Sequence, residues 1–104
     1  MDKTKKLYIA GHKGMVGSAM VRKFQAEGFE NIVTRTFGEL DLRRQKDVEE
    51  LFEKEKPNYV IIAAAKVGGI LANNTFRAEF LYDNLMIQSN IIHAAYQFGA
   101  EKLI

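Results

Sequence analysis

The chain contains no cysteine, so disulfides, thiol nucleophiles and cysteine-based zinc sites are excluded. It has no apolar run that approaches the roughly 20 residues of a membrane-spanning helix. Gly11 and His12 interrupt the first apolar stretch, which leaves no apolar segment of signal-peptide length behind the N-terminal lysines. Charge of one sign is lacking too. Lys and Arg number 15 against 13 Asp and Glu, the net charge is +2 and the signs are interspersed. That balance points to neither nucleic acid nor a membrane surface. The one basic cluster, Lys3, Lys5 and Lys6, reads as a solvated leader. Two isolated histidines, His12 and His93, do not make a metal site. No Gly-Lys-Ser/Thr run is present, so nothing supports nucleoside triphosphate hydrolysis. The expected location is the cytoplasm.

What is there is a balanced globular composition. Of 104 residues, 47% are hydrophobic and 27% charged. The length predicts one small domain at most, over residues 1–104 and cut off in its fourth strand, able to bury about 60–70% of its unfolded surface. Leu7 to Ala10 is a short apolar run ended by Gly11, and reads as a buried strand. From Met15 the spacing turns helical, with Val16, Ala19, Met20 and Phe24 on one stripe and Gly28 as the stop. Ile32 to Thr34 reads as a second strand. Asp41 is a candidate N-cap for a helix carrying Val48, Leu51 and Phe52, ended by the only proline, Pro57. Tyr59 to Ala65 is apolar throughout, as in a strand buried on both faces. A Gly/Asn-rich loop follows, with Gly68-Gly69 and Asn73-Asn74-Thr75. A long helix is predicted from Arg77 to Phe98, and Leu103-Ile104 begins a fourth strand. The order β-α-β-α-β-α-β predicts an α/β fold of the Rossmann type: a doubly wound parallel sheet with right-handed crossovers.

Gly11, Gly14 and Gly17 carry the most specific chemistry. They form G-x-x-G-x-x-G between the first strand and the first helix. In such a turn the first glycine permits the sharp exit from the strand. The second lets backbone approach a pyrophosphate, and the third lets the helix pack closely. The helix N-terminus offers free N–H groups and a partial positive charge to phosphate. His12, Lys13, Met15 and Val16 fill the rest of the loop, and His12 reads as a loop residue rather than a catalytic one. At the end of the second strand, an acidic residue would accept from the ribose hydroxyls of NAD. The sequence has Thr34-Arg35-Thr36 there. Arg35 suits the 2′-phosphate of NADP(H), with Lys13 as a second cation. Asp41-Leu42 opens the second helix. Lys66, at the carboxyl end of the third strand, is either near substrate or a solvated loop lysine. His93 reads as core or interface packing.

These strings resemble the extended short-chain dehydrogenase/reductase superfamily, and within it the GDP-L-fucose synthases. The resemblance is carried by Ala10 to Ala19, by Ala63-Ala64-Ala65-Lys66-Val67-Gly68-Gly69-Ile70 with Ala72-Asn73-Asn74-Thr75, and by Gln88 to Ala95. It implies NADP(H) as cofactor and a GDP-sugar substrate, GDP-4-keto-6-deoxy-D-mannose, epimerised and then reduced to GDP-L-fucose. It implies that Gly11 to Gly17 hold the pyrophosphate, that Arg35 and Phe37 lie by the 2′-phosphate, and that Asp41 and Leu42 flank the adenine. Ala63, Ala64 and Ala65 would line the nicotinamide ribose side. The family often has Arg at the position of Lys13 and can have a basic residue at that of Phe37, so this chain offers fewer cations.

The family's Ser, Tyr-x-x-x-Lys, His and Cys are expected beyond Ile104, so no catalytic residue is assigned here. Tyr8, Tyr59, Tyr82 and Tyr96 are followed four residues on by His12, Ala63, Met86 and Ala100. The chain is therefore read as the cofactor-binding part, inactive alone, marginally stable and self-associating. The superfamily also implies a homodimer through helix 77–98, whose apolar residues cover more than one stripe; simple burial is the other reading. Two further functions stay open: a non-catalytic dinucleotide-binding module, and a related nucleotide-sugar epimerase or dehydratase.

Overall fold

The structure is a computed structural model that describes residues 1–64 and 70–104, with only the backbone described for residues 70–77 and 80. Its elements follow the predicted order: β1 (Leu7–Ala10), α1 (Met15–Ala26), β2 (Ile32–Val33), α2 (Gln45–Glu55), β3 (Tyr59–Ile62), α3 (Ile70–Gln97) and β4 (Lys102–Leu103). All four strands run parallel in the order β2-β1-β3-β4, with Leu7 opposite both Ile32 and Tyr59, and Tyr59 opposite Lys102.

Successive side chains in a strand point to opposite faces, and here each face has its own core. Leu7, Ile9, Tyr59 and Ile61 pack with Phe24 of α1 and with Phe29. Tyr8, Ala10 and Val60 pack with Val48, Leu51 and Phe52 of α2 and with Ile87, Ile91, Ala94 and Ala95 of α3. So α1 covers one face while α2 and α3 cover the other. The chain leaves β1 toward β2, then crosses back over β1 to β3, and the helices change face when the direction changes. This is how crossovers of constant hand must be arranged. The reversal leaves a crevice at the carboxyl ends of β1 and β3, where ligands bind in open α/β sheets.

The helix ends have local causes. Gly28, at φ +96°, donates to Gln25 O at 3.1 Å and Phe29 N to Phe24 O at 3.0 Å. That is the Schellman pattern, and it brings the Phe24 and Phe29 rings edge to face at 5.1 Å. Helix α2 stops at Glu55 because a residue before proline is driven out of the right-handed helical region; Lys56 takes φ +45°.

Several expectations need correction. Asp41 does not cap α2, whose N-cap is Arg44. Its carboxylate instead accepts from Arg43 N at 3.0 Å, and its carbonyl accepts from Arg44 N at 3.0 Å, closing a separate turn. Strand β3 ends at Ile62 rather than Ala65, because β1 gives out at Ala10 where Gly11 turns away; Ala63 N still reaches Ala10 O at 2.9 Å. Strand β2 likewise stops at Val33. Helix α3 starts at Ile70, so Asn73, Asn74 and Thr75 are helical rather than looped. Their helix propensities cost at most about 0.7 kcal/mol each. The leader is not simply solvated, since Lys5 Nζ bonds both oxygens of Glu101 at 2.8 and 2.9 Å and Lys6 Nζ bonds Glu55 at 3.0 Å. His93 is exposed.

Phe52 is fully buried and meets Tyr8 edge to face at 5.8 Å. Phe52→Ala should lower the unfolding free energy by about 3–5 kcal/mol, read as a lower urea midpoint with little change in slope. An unmoved midpoint would remove this residue from the core.

Candidate cofactor cleft

The glycine turn has three glycines with three different reasons to exist. Gly11 sits at φ +84°, and a Cβ there would lie 2.6 Å from the backbone N and Cα of Ala64. A Cβ on Gly17 would lie 1.8 Å from Gly11 O. Both positions therefore hold backbone against backbone. Gly14 is different: its φ is −71°, and a Cβ would only touch Gly11 O at 3.5 Å, an ordinary contact. Neither conformation nor packing among the described residues demands glycine at 14.

Gly14 is also the N-cap of α1. It contributes no side-chain cap, and the first turn contains no acid. The first-turn N–H groups and the positive end of the helix dipole thus face outward without an acceptor from a cap.

Above this turn lies a cleft of about 300 Å³ at the carboxyl ends of the strands. Gly11, His12, Lys13, Gly14, Arg35, Phe37, Asp41, Leu42, Ala63 and Ala64 all line it. Met15, Val16 and Gly17 belong to the first turn of α1 and do not line it. Ala65 and Lys66 lie outside the described residues. Thr36, Leu40, Arg43 and Ile87 also line it, beyond the residues to which the sequence assigns a site role. Leu40 and Ile87 carry only a generic apolar signal. Arg43, two residues after Asp41, could have been found as a local ion pair.

The cations differ in their freedom. Arg35 donates to Thr34 O at 2.8 Å and to Glu55 Oε2 at 2.9 Å. Glu55 also accepts from Lys6 through its other oxygen, so one carboxylate sits between two cations. Hydrogen bonding from Lys6, then from Arg35, holds the Glu55 carboxyl below its ordinary value of 4.5. Among the described residues, Lys13 has no ion-pair partner. It is the cation most available to an incoming anion.

Two short segments form the outer wall. Thr36 N donates to Glu39 Oε1 at 2.8 Å while Glu39 N donates to Thr36 Oγ1 at 3.3 Å, a reciprocal lock around Phe37. Asp41 holds Arg43 by two parallel bonds of 3.0 and 2.9 Å, and this pairing lowers the Asp41 pKa. The Arg43 guanidinium lies 5.4 Å from the centroid of the Phe37 ring. The buried Asn90 of α3 donates to Leu42 O at 2.9 Å and ties this wall to the helix. On the cleft wall, His12 keeps a buried Nδ1 with no hydrogen-bond partner among the described residues.

These residues suit a phosphorylated dinucleotide. A turn without side chains at its tip, an uncapped helix N-terminus and an unpaired lysine make an anion cradle. A largely apolar chamber with flat groups at its rim lies beside it. Sheet order, crossover hand and cleft position define a Rossmann-type nucleotide fold.

The comparisons agree with that class. The chain belongs to the NAD dependent epimerase/dehydratase family, whose model matches residues 7–104. It is 60% identical over 103 residues to GDP-L-fucose synthase 1 of Arabidopsis thaliana, which covers 99% of this chain and 32% of that protein. Among solved structures it is similar to a GDP-mannoheptose C4 reductase from Campylobacter jejuni with NADP bound, at TM-score 0.94 and 47% identity, over 99% of this chain and 32% of that one. It is also similar to a GDP-L-fucose synthetase from Naegleria fowleri bound to NADP, at TM-score 0.84 and 31% identity, over 99% of this chain and 33% of that one. The chain thus spans about a third of the length of the relatives it matches.

The lowered Glu55 pKa has a pH signature. The folded state binds the Glu55 proton less readily than the unfolded state does, so its contribution to stability is present above pH 4.5 and is lost as pH falls through the lower folded-state value. Wild type should therefore lose more stability than Glu55→Gln on acidification from neutral pH, in urea titrations at matched ionic strength. Parallel losses would show that the Lys6–Glu55–Arg35 cluster is not linked to folding.

Proposed function

We propose that this cleft holds the adenosine-pyrophosphate end of NADP(H). The chain would then supply the cofactor-binding part of an enzyme that epimerises and reduces GDP-4-keto-6-deoxy-D-mannose to GDP-L-fucose. Gly14 carries the reading. A glycine that the described residues do not need keeps the turn open to a group outside the chain, and the helix N-terminus behind it favours an anion. Gly11 to Gly17 would hold the pyrophosphate, Lys13 and Arg35 the 2′-phosphate, Asp41 and Leu42 the adenine side, and Ala63 to Ala65 the nicotinamide ribose side. Lys66 would stand near the sugar. When bound, NADPH supplies the hydride for reduction of the ketone; this chain binds and orients, and by itself turns over no substrate. The likeness to the Campylobacter reductase favours a second reading, reduction of a different GDP-sugar at C4.

The homodimer belongs to the same proposal. Helix α3 turns Leu81, Leu85, Ile92 and Tyr96 outward in one uncharged stripe, opposite the buried Ile87, Ile91 and Ala94. The stripe is nearly symmetric about Ser89. An antiparallel copy would set Leu81 against the partner's Tyr96 and Leu85 against the partner's Ile92, an isologous contact. Among the described residues no helix is long and apolar enough to cross a membrane, and we place the protein in the cytoplasm.

Two measurements test these readings. Isothermal calorimetry should show NADPH preferred to NADH by roughly tenfold, since a hydrogen bond to a charged group contributes roughly 1.5–3 kcal/mol and about 1.4 kcal/mol is one decade. The preference should sit at the low end because Glu55 already engages Arg35. Gly14→Val should abolish binding of both cofactors with the circular dichroism spectrum preserved, and Lys13→Ala should erase the preference. Equal affinities in wild type, or an unimpaired Gly14→Val, would overturn the assignment. For assembly, Leu85→Glu should convert a sedimenting dimer to monomer; a monomeric wild type sinks the dimer.

A further inference from the structure

Arg43 stands at the rim of the cleft with the edges of its guanidinium already met by acid. Nε and one terminal nitrogen bond the two oxygens of Asp41 at 3.0 and 2.9 Å. The other terminal nitrogen lies 3.6 Å from Asp83 Oδ2. One cation between two carboxylates leaves the cluster with net negative charge. A phosphate arriving there would have to compete with two carboxylates for the guanidinium, so Arg43 is poorly suited to read one.

What Arg43 still offers is its faces. One lies over the Phe37 ring at 5.4 Å, and the side chain keeps 35% of its surface exposed. Phe37 is itself 69% exposed, an unusual position for a phenyl ring. Neither group is loose. The Thr36–Glu39 lock fixes the turn that carries Phe37, and Asp41 accepts from both the backbone and the side chain of Arg43. Two planar groups from neighbouring turns are thus held one over the other on one cleft wall. Rigid planes lower the ordering cost of binding a third plane, and bases stack on aromatic rings and guanidinium faces alike.

We propose that Phe37 and Arg43 form a stacking shelf for the adenine ring of the cofactor. Arg43 acts through its face rather than its charge, and the 2′-phosphate is left to Lys13 and Arg35. This rests on the dinucleotide reading of the cleft.

The test uses two probes that differ by one phosphate, 5′-AMP and 2′,5′-ADP, with dissociation constants measured by calorimetry or NMR titration. Arg43→Lys keeps a charge beside Asp41 and Asp83 but loses the plane. It should weaken both probes by the same factor, about tenfold, leaving their ratio and its salt dependence unchanged. Phe37→Ala, at an exposed position outside the core, should do likewise. Lys13→Ala should weaken 2′,5′-ADP alone. The shelf is overturned if Arg43→Lys weakens only 2′,5′-ADP, which would make Arg43 a phosphate reader. It is equally overturned if Arg43→Lys and Phe37→Ala leave both affinities unmoved. Failure of the wild-type chain to bind either probe would instead bring down the dinucleotide reading, and the shelf with it.

Discussion

The fold hangs on a contact that no side chain makes. Gly11 and Ala64 bring their backbones within the space of one missing methyl group, and Gly17 sits on the carbonyl of Gly11 in the same way. These two approaches join the end of β1, the end of β3 and the start of α1 at one point. The cleft opens directly above that junction because the backbones there are too close to admit anything else. Overpacking of this kind typically costs about 1–3 kcal/mol and displaces backbone. A side chain at either glycine therefore acts on fold and site together, whereas one at Gly14 acts on the site alone.

The sequence made much of this legible, and the reasons are local. Strands β1 and β3 are short apolar runs with turn residues behind them, and burial on both faces needs no alternation to be read. The glycine spacing placed the turn because strand, loop and helix follow one another within a few residues. Asp41 was misread because an aspartate before a helix can either cap it or close its own turn, and Arg43 decides the matter from two residues away. The start of α3 was misread because Asn73, Asn74 and Thr75 prefer turns, a preference that continuing the helical ladder outweighs. Arg43 and Ile87 entered the cleft through tertiary placement, which no local spacing encodes. The pairing of Arg35 with Glu55 joins residues 20 positions apart and was equally invisible.

Membership in the epimerase/dehydratase family and the cleft geometry bear on different questions. Membership speaks to ancestry along nearly the whole chain. The geometry speaks to what this chain can grip. A turn open at Gly14, a Lys13 with no ion-pair partner among the described residues and a flat, acid-bounded rim divide the cleft into an end that suits an anion and a planar end. GDP-L-fucose synthases and a GDP-heptose reductase are both among the similar proteins. The part shared with them is thus the Rossmann-type frame, common to proteins named for different GDP-sugars.

The cluster of Lys6, Glu55 and Arg35 gives the protein a divided loyalty. Arg35 lines the cleft, yet two of its nitrogens are turned to Thr34 and Glu55, and Glu55 is shared with Lys6 at the opening of β1. On the proposed reading, the same guanidinium serves both the integrity of the sheet and the reception of a ligand. Evolution at position 55 meets a trade-off as a result. An uncharged residue there leaves Arg35 freer to turn toward an anion and leaves Lys6 without its counter-ion. A retained glutamate steadies the scaffold and tempers the pull of the site. On that reading, cofactor preference can drift through a residue that does not line the cleft.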